Sequence, residues 1–208
     1  MVFLFLKGGY MKKLAIMGSG KGNVFEAIVK ELKGFDVEIT CISDVLEAEI
    51  LKFAKDLKIK HQYLPYEENV EFFAPRNFDM VILTDYDKEI QTSVLELSKF
   101  INIHPSLFPS FKGRDAIYRA FDAGVKVTGV TVYRMANDIN DEKILAQYPI
   151  LIGNTTHFDE LKEQVEKLEE ILYPKVVKTL VEDKVFDFND LFSHEGCGGS
   201  CGSCGGCH

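Results

Sequence analysis

The sequence predicts a three-layer α/β fold, with a mostly parallel, Rossmann-like sheet and an antiparallel hairpin near the C-terminus. Between residues 13 and 103, short apolar runs alternate with stretches whose apolar residues recur at helical spacing. A glycine-rich loop at residues 18–23 follows the first apolar run and precedes the first helical stretch. After residue 124, two β-branched segments follow one another with no helix between them, which predicts the hairpin. In such sheets, ligands bind at the carboxyl ends of the parallel strands.

Each predicted element depends on its own local pattern. Strands are predicted where short apolar or β-branched runs occur, at residues 13–17, 37–42, 61–64, 80–83 and 100–103. Helices are predicted where apolar residues recur every three or four positions, at residues 25–32, 46–57, 90–97 and 116–123. The hairpin pairs residues 125–133 with 143–150 through the loop 136–142, and a long amphipathic helix covers 159–182. Pro174 lies inside that helix and predicts a kink or a break.

Length and composition are those of one globular domain with a short tail. The chain has 208 residues, of which 46% are hydrophobic and 27% charged, and this length suffices to bury a core. The net charge of −8 argues against broad nucleic-acid binding, which needs a basic surface. No apolar run approaches the ~20 residues of a membrane-spanning helix, so no membrane partner is expected. The oligomeric state does not follow from the sequence.

The chain divides into three predicted regions. Residues 1–11 are expected to be a disordered or mis-called extension, because Met11 followed by two lysines and a strand is a more natural start. Residues 12–192 form the predicted domain, and residues 193–208 form a flexible tail rich in Gly and Cys. Cys41 is the single cysteine before the tail, so the domain carries no disulfide framework. This cysteine usage is typical of a reducing, cytoplasmic location.

Two polar side chains end the last parallel strand, in the segment Asn102-Ile103-His104 that precedes Pro105. Residues two apart on a strand point to the same face, so the amide and the imidazole are expected side by side. An amide N–H donates to a carbonyl oxygen that becomes negative, and an imidazole moves a proton. The pattern therefore indicates either carbonyl chemistry or a strand end whose Asn and His only cap the following turn.

The segment Asn-Ile-His-Pro-Ser-Leu-Phe-Pro at residues 102–109, with Gly113 close behind, resembles the motif of the folate-dependent formyltransferases. Its His-Pro-Ser form is closest to the phosphoribosylglycinamide formyltransferase branch of that family. The resemblance covers roughly residues 12–174 and is strongest at 100–132. It implies that Asn102 and His104 are catalytic. It also implies that the chain transfers a formyl group from 10-formyltetrahydrofolate to a primary amine, that of glycinamide ribonucleotide in purine biosynthesis.

The glycine loop has the features of an anion site. Glycines let the backbone approach a phosphate, and the N-terminus of the following helix presents free N–H groups with a partial positive charge. The spacing matches neither the dinucleotide fingerprint nor a Walker loop, and a tight turn without a ligand is the alternative interpretation. The resemblance implies that this loop holds the substrate phosphate, although Lys21 and Val24 depart from the family pattern. The residues assigned to the phosphate are Gly20, Lys21, Gly22 and Asn23.

The hairpin loop departs from the family motif at the position of a catalytic carboxylate. The family carries an Asp there, followed by glycines and a proline, and this Asp falls on Asn140. Asn140 cannot accept a proton, whereas Asp141 could replace the missing carboxylate if the loop shifts by one residue. Both are therefore candidate catalytic residues. A solvated polar loop without a catalytic role is the alternative.

The segment after the fourth strand departs from the family as well. Relatives carry an apolar stretch there that lines the pterin site, whereas this chain has Thr84-Asp85-Tyr86-Asp87-Lys88. The implied folate contacts are Asp85, Tyr86, Asp87, Lys88 and, from the hairpin loop, Ile139. The two acids leave open a different co-substrate, or none.

The tail carries a cluster of four thiols with the spacing Cys-x3-Cys-x2-Cys-x2-Cys. Thiolates this close together can enclose one zinc ion or an iron–sulfur cluster. The predicted metal ligands are Cys197, Cys201, Cys204 and Cys207, with His194 and His208 as spare ligands. A disordered tail with adventitious disulfides is the alternative.

Two alternative functions therefore remain open in addition to the formylation of glycinamide ribonucleotide. One is a catalytically weakened protein of formyltransferase fold that binds a ligand, or a metal through its tail. The other is a transferase that acts on the amine of a nucleotide sugar, because the same fold and site serve that chemistry.

Overall fold

The computed structural model describes residues 10–138 and 142–192, and in these ranges the strands form one seven-stranded sheet. The strands are β1 (Lys12–Met17), β2 (Val37–Ser43), β3 (Lys60–Tyr63), β4 (Met80–Leu83), β5 (Phe100–His104), β6 (Val127–Arg134) and β7 (Lys143–Leu151). The helices are α1 (Asn23–Glu31), α2 (Glu49–Asp56), α3 (Asn69–Phe73), α4 (Thr92–Leu95), α5 (Ala116–Asp122), α6 (Phe158–Val181) and α7 (Asn189–Phe192). The sheet order is β3-β2-β1-β4-β5-β6-β7.

The predicted topology is confirmed. Strands β1 to β5 pair in parallel, whereas β6 and β7 pair in antiparallel fashion and extend the sheet as the hairpin. The chain reverses its winding direction between β1 and β4, because β2 and β3 lie on one side of β1 and all later strands lie on the other. Loops at such a point diverge and leave a crevice at the carboxyl ends of the strands.

Alternation along β1 divides the core between the two faces of the sheet. Leu14 and Ile16 point into the cluster that α1 and α6 cover, whereas Ala15 and Met17 point into a second cluster on the opposite face. Phenylalanines from α3 and from β5 fill this second cluster, and four ring contacts join Phe72, Phe73, Phe78 and Phe100. Helices on both faces give the predicted three layers.

The sequence predicted a kink or a break at Pro174, and α6 continues through this residue without a break. A proline inside a helix removes one backbone hydrogen bond, which destabilises the helix. The residues around Pro174 offset this cost by burial, since Leu172, Tyr173 and Val176 have no exposed surface. Tertiary packing therefore holds together a helix that the local sequence would interrupt.

Three short elements of the described residues were not predicted: helix α7, the 3-10 turn Tyr66–Glu68 and helix α3 that follows this turn. The last two are adjacent. Their segment is rich in acidic and aromatic residues and shows little helical periodicity. In the described residues, no helix has both the length and the apolar character that a membrane crossing requires.

Candidate active site

The end of β5 places Asn102 and His104 opposite β6, where Asn102 pairs with Tyr133 and His104 with Thr131. The Nδ2 of Asn102 donates to the Tyr133 hydroxyl at 3.1 Å, and its Oδ1 accepts the N–H of Ile103 at 2.8 Å. Both ends of the amide are therefore held, and Tyr133 fixes the direction of its N–H group. Burial is the main cause that raises the pKa of Tyr133, so this hydroxyl stays protonated at neutral pH.

His104 is half-buried, with its Nε2 3.2 Å from the carbonyl oxygen of Phe111. A carbonyl only accepts hydrogen bonds, so Nε2 carries the proton and Nδ1 keeps its lone pair in the neutral ring. Burial is the main cause that lowers the pKa of His104, and the positive charges of Arg119 and Lys112 act in the same direction. His104 is therefore neutral at pH 7 and able to accept a proton at Nδ1.

Aromatic rings pack around the imidazole. The centroid of Phe108 lies 5.0 Å from that of His104 and 4.8 Å from that of Tyr133. The Nζ of Lys112 lies 4.4 Å from the Phe108 centroid, a cation–π contact, and 2.7 Å from Oε2 of Glu142. The two sequence-predicted residues thus form one cluster at the end of β5 with four further side chains, those of Phe108, Lys112, Tyr133 and Glu142.

A hydrogen-bond network fixes the backbone of the loop after β5. Thr131 donates from its hydroxyl to the carbonyl of Ser106 at 2.6 Å and accepts the N–H of Phe108 at 3.1 Å. Gln147 on β7 donates to the carbonyl of Phe108 at 3.0 Å, and Ser106 donates to the carbonyl of Ser110 at 2.8 Å. The hairpin therefore holds the loop that carries His104 and Phe108, which gives the buried Ser of the His-Pro-Ser motif a structural role.

The glycine loop meets the end of β4 at the same edge of the sheet. The N–H of Gly18 donates to the carbonyl of Ile42, and the N–H of Ser19 donates to the carbonyl of Asp85, each at 3.0 Å. Gly22 has a positive φ of 87° where α1 begins, and a Cβ there would lie 2.9 Å from the Cα of Ile50. The loop is therefore a tight turn that needs glycine at position 22, and it opens onto the N-terminus of α1.

Carboxylates crowd the same loop. Desolvation is the main cause that raises the pKa of Asp85, and the charges of Asp87 and Glu166 add to it, whereas Lys21 lowers it. Burial, followed by the charge of Asp85, raises the pKa of Glu169 on α6 to about 8. Glu169 is therefore mostly protonated at neutral pH, and Lys21 partly offsets the negative charge of Asp85.

Tyr173 on α6 connects the two halves of the site. Its hydroxyl donates to the carbonyl of Ile101 on β5 at 2.8 Å, and the residue is completely buried. Its pKa is raised well above the ordinary tyrosine value, mainly by burial, and the charges of Tyr133 and Glu169 contribute. The hydroxyl therefore joins α6 to β5 at the residue before Asn102.

The structure brings together some of the predicted site residues and not others. Asn102 and His104 lie in one cluster, and Gly20 lies against Asp85, where a Cβ on Gly20 would meet the Cβ of Asp85 at 3.0 Å. Tyr86 is half-buried and its hydroxyl accepts from Nδ2 of Asn69 at 3.4 Å, whereas Lys21, Asn23, Asp87 and Lys88 are exposed. Ile139, Asn140, Asp141 and the four tail cysteines lie outside the described residues.

Three site residues escaped the sequence analysis: Tyr133, Glu142 and Glu169. The first is adjacent to Asn102 only through the β5–β6 register, which no local pattern encodes. Glu169 lies on the polar side of an amphipathic helix, where acids are common. Glu142 was assigned to a solvated loop, and its opposite charge to Lys112 was the one available clue.

A cavity of about 820 Å³ lies at the other edge of the sheet, lined by residues that include Lys13, Glu38, Lys60 and Phe78. These residues lie toward the amino ends of β1 to β3, far from His104. The cavity is therefore separate from the cluster at the carboxyl ends. In the described ranges, no group of three or more His, Cys, Asp or Glu side chains is arranged to hold a metal ion.

Comparison with known proteins matches residues 12–177 to the formyl transferase family. The chain is 33% identical to the phosphoribosylglycinamide formyltransferase of Bacillus subtilis (strain 168), over 82% of this chain and 95% of that protein. It is 32% identical to the methionyl-tRNA formyltransferase of Thermotoga neapolitana over 61% of this chain and 41% of that protein. The crystal structure of phosphoribosylglycinamide formyltransferase from Bacillus halodurans superposes with a TM-score of 0.75 at 29% identity, over 82% of this chain and 95% of that one.

These matches agree with the site geometry. The motif that carries Asn102 and His104 falls inside the matched residues, at the carboxyl end of a parallel strand, as the resemblance implied. The extent of the family match and the near-complete coverage of a relative establish that this chain belongs to the formyl transferase family.

Proposed function

We propose that this protein transfers a formyl group from 10-formyltetrahydrofolate to the primary amine of glycinamide ribonucleotide, in purine biosynthesis. The observation that carries the proposal is the pairing of a held amide, Asn102, with a neutral imidazole, His104, at the end of β5. The relatives with this name match the chain over nearly their whole length.

The residues at the end of β5 suit the chemistry of acyl transfer. In the reaction, the amine nitrogen bonds to the formyl carbon, the carbonyl oxygen becomes negative, and the bond to the folate nitrogen then breaks. Asn102 donates to the developing oxyanion the second N–H of its Nδ2, the one that does not bond to Tyr133. His104 accepts at Nδ1 the proton that the amine loses and returns it to the departing nitrogen.

The glycine loop supports a phosphate at the other end of the substrate. Lys21 supplies a positive charge, and the N-terminus of α1 supplies backbone donors. The protonated carboxyl of Glu169 adds a hydrogen-bond donor rather than a negative charge. We assign Gly20, Lys21, Gly22 and Asn23 to this role.

The segment after β4 fits a pterin through its acceptors. A pterin carries several N–H donors, and Asp85 and Asp87 supply carboxylate oxygens close to the half-buried ring of Tyr86. The folate co-substrate supplies the formyl carbon. Residues 85–88, with Ile139, are proposed to orient it toward His104.

A formyl-transfer assay with glycinamide ribonucleotide and 10-formyltetrahydrofolate tests the proposal. We expect His104→Ala to lower kcat by about a hundredfold or more, the scale seen when one member of a catalytic unit is lost. His61→Ala is the matched control, because His61 is exposed on β3 near the opposite edge of the sheet. Equal rates for His104→Ala and the wild type would contradict the assignment.

The tail is proposed to bind a metal independently of the transferase site, in a cytoplasmic protein. Four thiols at short spacing support this role, and Cys41, the single cysteine in the described ranges, is a buried free thiol. Metal analysis of reduced protein, with and without residues 195–208, tests it. We expect stoichiometric zinc or iron that is lost on deletion, with formyl transfer unchanged. A weakened enzyme with only the metal function would bind metal without transferring formyl.

A further inference from the structure

Glu142, directly before β7, joins the cluster around His104 through Lys112 and Phe108. Its negative charge raises the pKa of both His104 and Tyr133, so it acts on the two sides of the aromatic cluster. Its side chain is only 16% exposed. A mainly buried carboxylate in the cluster of the proposed catalytic imidazole is unlike a solvated loop acid, the alternative that the sequence left open.

Lys112 holds this carboxylate in place. Its Nζ lies 2.7 Å from Oε2 of Glu142, and its side chain is 31% exposed, so the ion pair is partly shielded from solvent. The same Nζ lies 4.4 Å from the ring of Phe108, which in turn contacts the imidazole of His104. The ammonium is therefore fixed by two contacts, and it fixes the position of Glu142 relative to His104.

The charges around His104 explain what Glu142 contributes. Arg119 on α5 donates to the carbonyls of Phe111 and Lys112, and both Arg119 and Lys112 disfavour a protonated imidazole. The carbonyl of Phe111 and the carboxylate of Glu142 favour it. When His104 takes the proton of the attacking amine, the carboxylate stabilises the imidazolium that forms and itself stays ionised.

We propose that Glu142, held by Lys112, is the carboxylate that stabilises the His104 imidazolium during proton transfer. It would replace the acid that family members carry at the position of Asn140. The inference depends on the proposed formyl transfer for its kinetic consequence. The placement of Glu142 beside His104, by contrast, can be tested without any substrate.

The first test compares Glu142→Gln with the wild type in the formyl-transfer assay. The amide keeps the shape of the side chain and removes its charge, so we expect kcat to fall about tenfold to a hundredfold with KM little changed. Glu142→Asp is expected to recover part of the rate. The matched control is Glu163→Gln, which breaks an exposed ion pair with Lys167 on α6 and should leave kcat unchanged.

The second test follows the titration of the His104 imidazole by NMR in the protein without substrates. Loss of the Glu142 charge removes an interaction that favours the protonated ring, so the midpoint should move to lower pH in Glu142→Gln and stay fixed in Glu163→Gln. An unchanged midpoint would overturn the inference, even if the wild type transfers formyl. A shifted midpoint in a protein that transfers no formyl would support the placement and overturn the proposed reaction.

Two further variants separate Glu142 from its neighbours. Lys112→Met frees the carboxylate and should lower kcat, whereas Lys112→Arg keeps the ion pair and should retain most of the activity. Asp141→Asn tests the other candidate acid. A large loss of kcat in Asp141→Asn together with none in Glu142→Gln would overturn the inference.

Discussion

Two hydrogen bonds set the orientation of the Asn102 amide. Its N–H donor reaches the Tyr133 hydroxyl, and its oxygen accepts the N–H of Ile103, so the side chain has no freedom to flip. Electrostatic stabilisation of an oxyanion depends on donors that are already oriented before the reaction. In the proposed reaction, Tyr133 would therefore act by holding Asn102 in place.

Tyr133→Phe should show this contribution. The variant leaves the Asn102 N–H without an acceptor in a mainly buried site, so we expect the free energy of unfolding to fall by about 1–2 kcal/mol. We also expect kcat to fall several-fold with KM little changed. Urea denaturation and the formyl-transfer assay measure the two effects. Tyr63→Phe on exposed β3 is the control, and a Tyr133 variant that behaves like it would show that Asn102 needs no partner.

At the scale of residues, the sequence predicted the side chains that lie in a recognisable motif. Asn102 and His104 share a strand, so the two-residue period alone places them on one face. Tyr133 is 31 positions away from Asn102, and only the register of β5 against β6 brings the two together. Glu142 could not be assigned because the loop has lost the glycines and proline that define the family motif.

Helix α6 is the element that brings acidic side chains to the glycine loop. Its buried side packs on the sheet and α1, while Glu166 and Glu169 face the Asp85 region. Carboxylates that approach one another favour the protonated form, which adds to the effect of burial on Glu169. The stability of the fold should therefore depend on pH through this helix.

Glu169→Gln tests the effect of the helix on stability. The pKa of Glu169 is raised to about 8, so between pH 4.5 and 8 the folded state binds a proton that the unfolded chain has released. Below pH 4.5 this proton contributes its full stabilisation of the folded state, and the stabilisation is lost as pH rises toward 8. We expect the Gln variant to lose less stability than the wild type between pH 5 and 8. At pH 8 it should be more stable by on the order of 1 kcal/mol.

Urea denaturation at pH 5, 6, 7 and 8 measures this difference. The control is Glu163→Gln on the same helix, where the hydrogen bond with Lys167 lowers the pKa of Glu163, so its charge does not change above pH 5. His104 acts in the opposite direction, because its lowered pKa makes the fold gain stability as pH rises toward 6.5. Parallel pH curves for the wild type and Glu169→Gln would show that Glu169 is ionised.

Helices and strands were predicted well where the sequence has strong periodicity. They were predicted poorly where contacts with distant residues stabilise the element. All seven strands were predicted near their observed positions, and all except β3 contain an apolar or β-branched run. Helix α3 was missed because its burial depends on aromatic contacts with distant residues such as Phe100. The continuous helix through Pro174 could not be inferred from the local sequence. The burial that offsets the lost hydrogen bond comes from the packing of α6 on the sheet.

At the scale of the whole molecule, the order of strands decides where the chemistry lies. The sequence predicted that the glycine loop, the end of β4 and the end of β5 meet at one edge, and the sheet order confirms this arrangement. The three-part division into residues 1–11, 12–192 and 193–208 stays a prediction. The link between α6 and the end of β5 could not be predicted, because it is made by one buried side chain, Tyr173, whose partner Ile101 is 72 positions away.

Tyr173→Phe tests whether this one hydrogen bond couples helix and sheet across the molecule. The hydroxyl donates to the carbonyl of Ile101 at 2.8 Å in a fully buried place, so its removal leaves the carbonyl without this donor. We expect the free energy of unfolding to fall by about 1–3 kcal/mol, since a buried polar group that loses its partner keeps its desolvation cost. Tyr118→Phe on α5 is the control, because Tyr118 is 56% exposed and its change should be within about 0.5 kcal/mol.

If Tyr173 also sets the distance between the glycine loop and β5, the KM for glycinamide ribonucleotide should rise in Tyr173→Phe and stay constant in Tyr118→Phe. A loss of stability with an unchanged KM would confine Tyr173 to holding the core together.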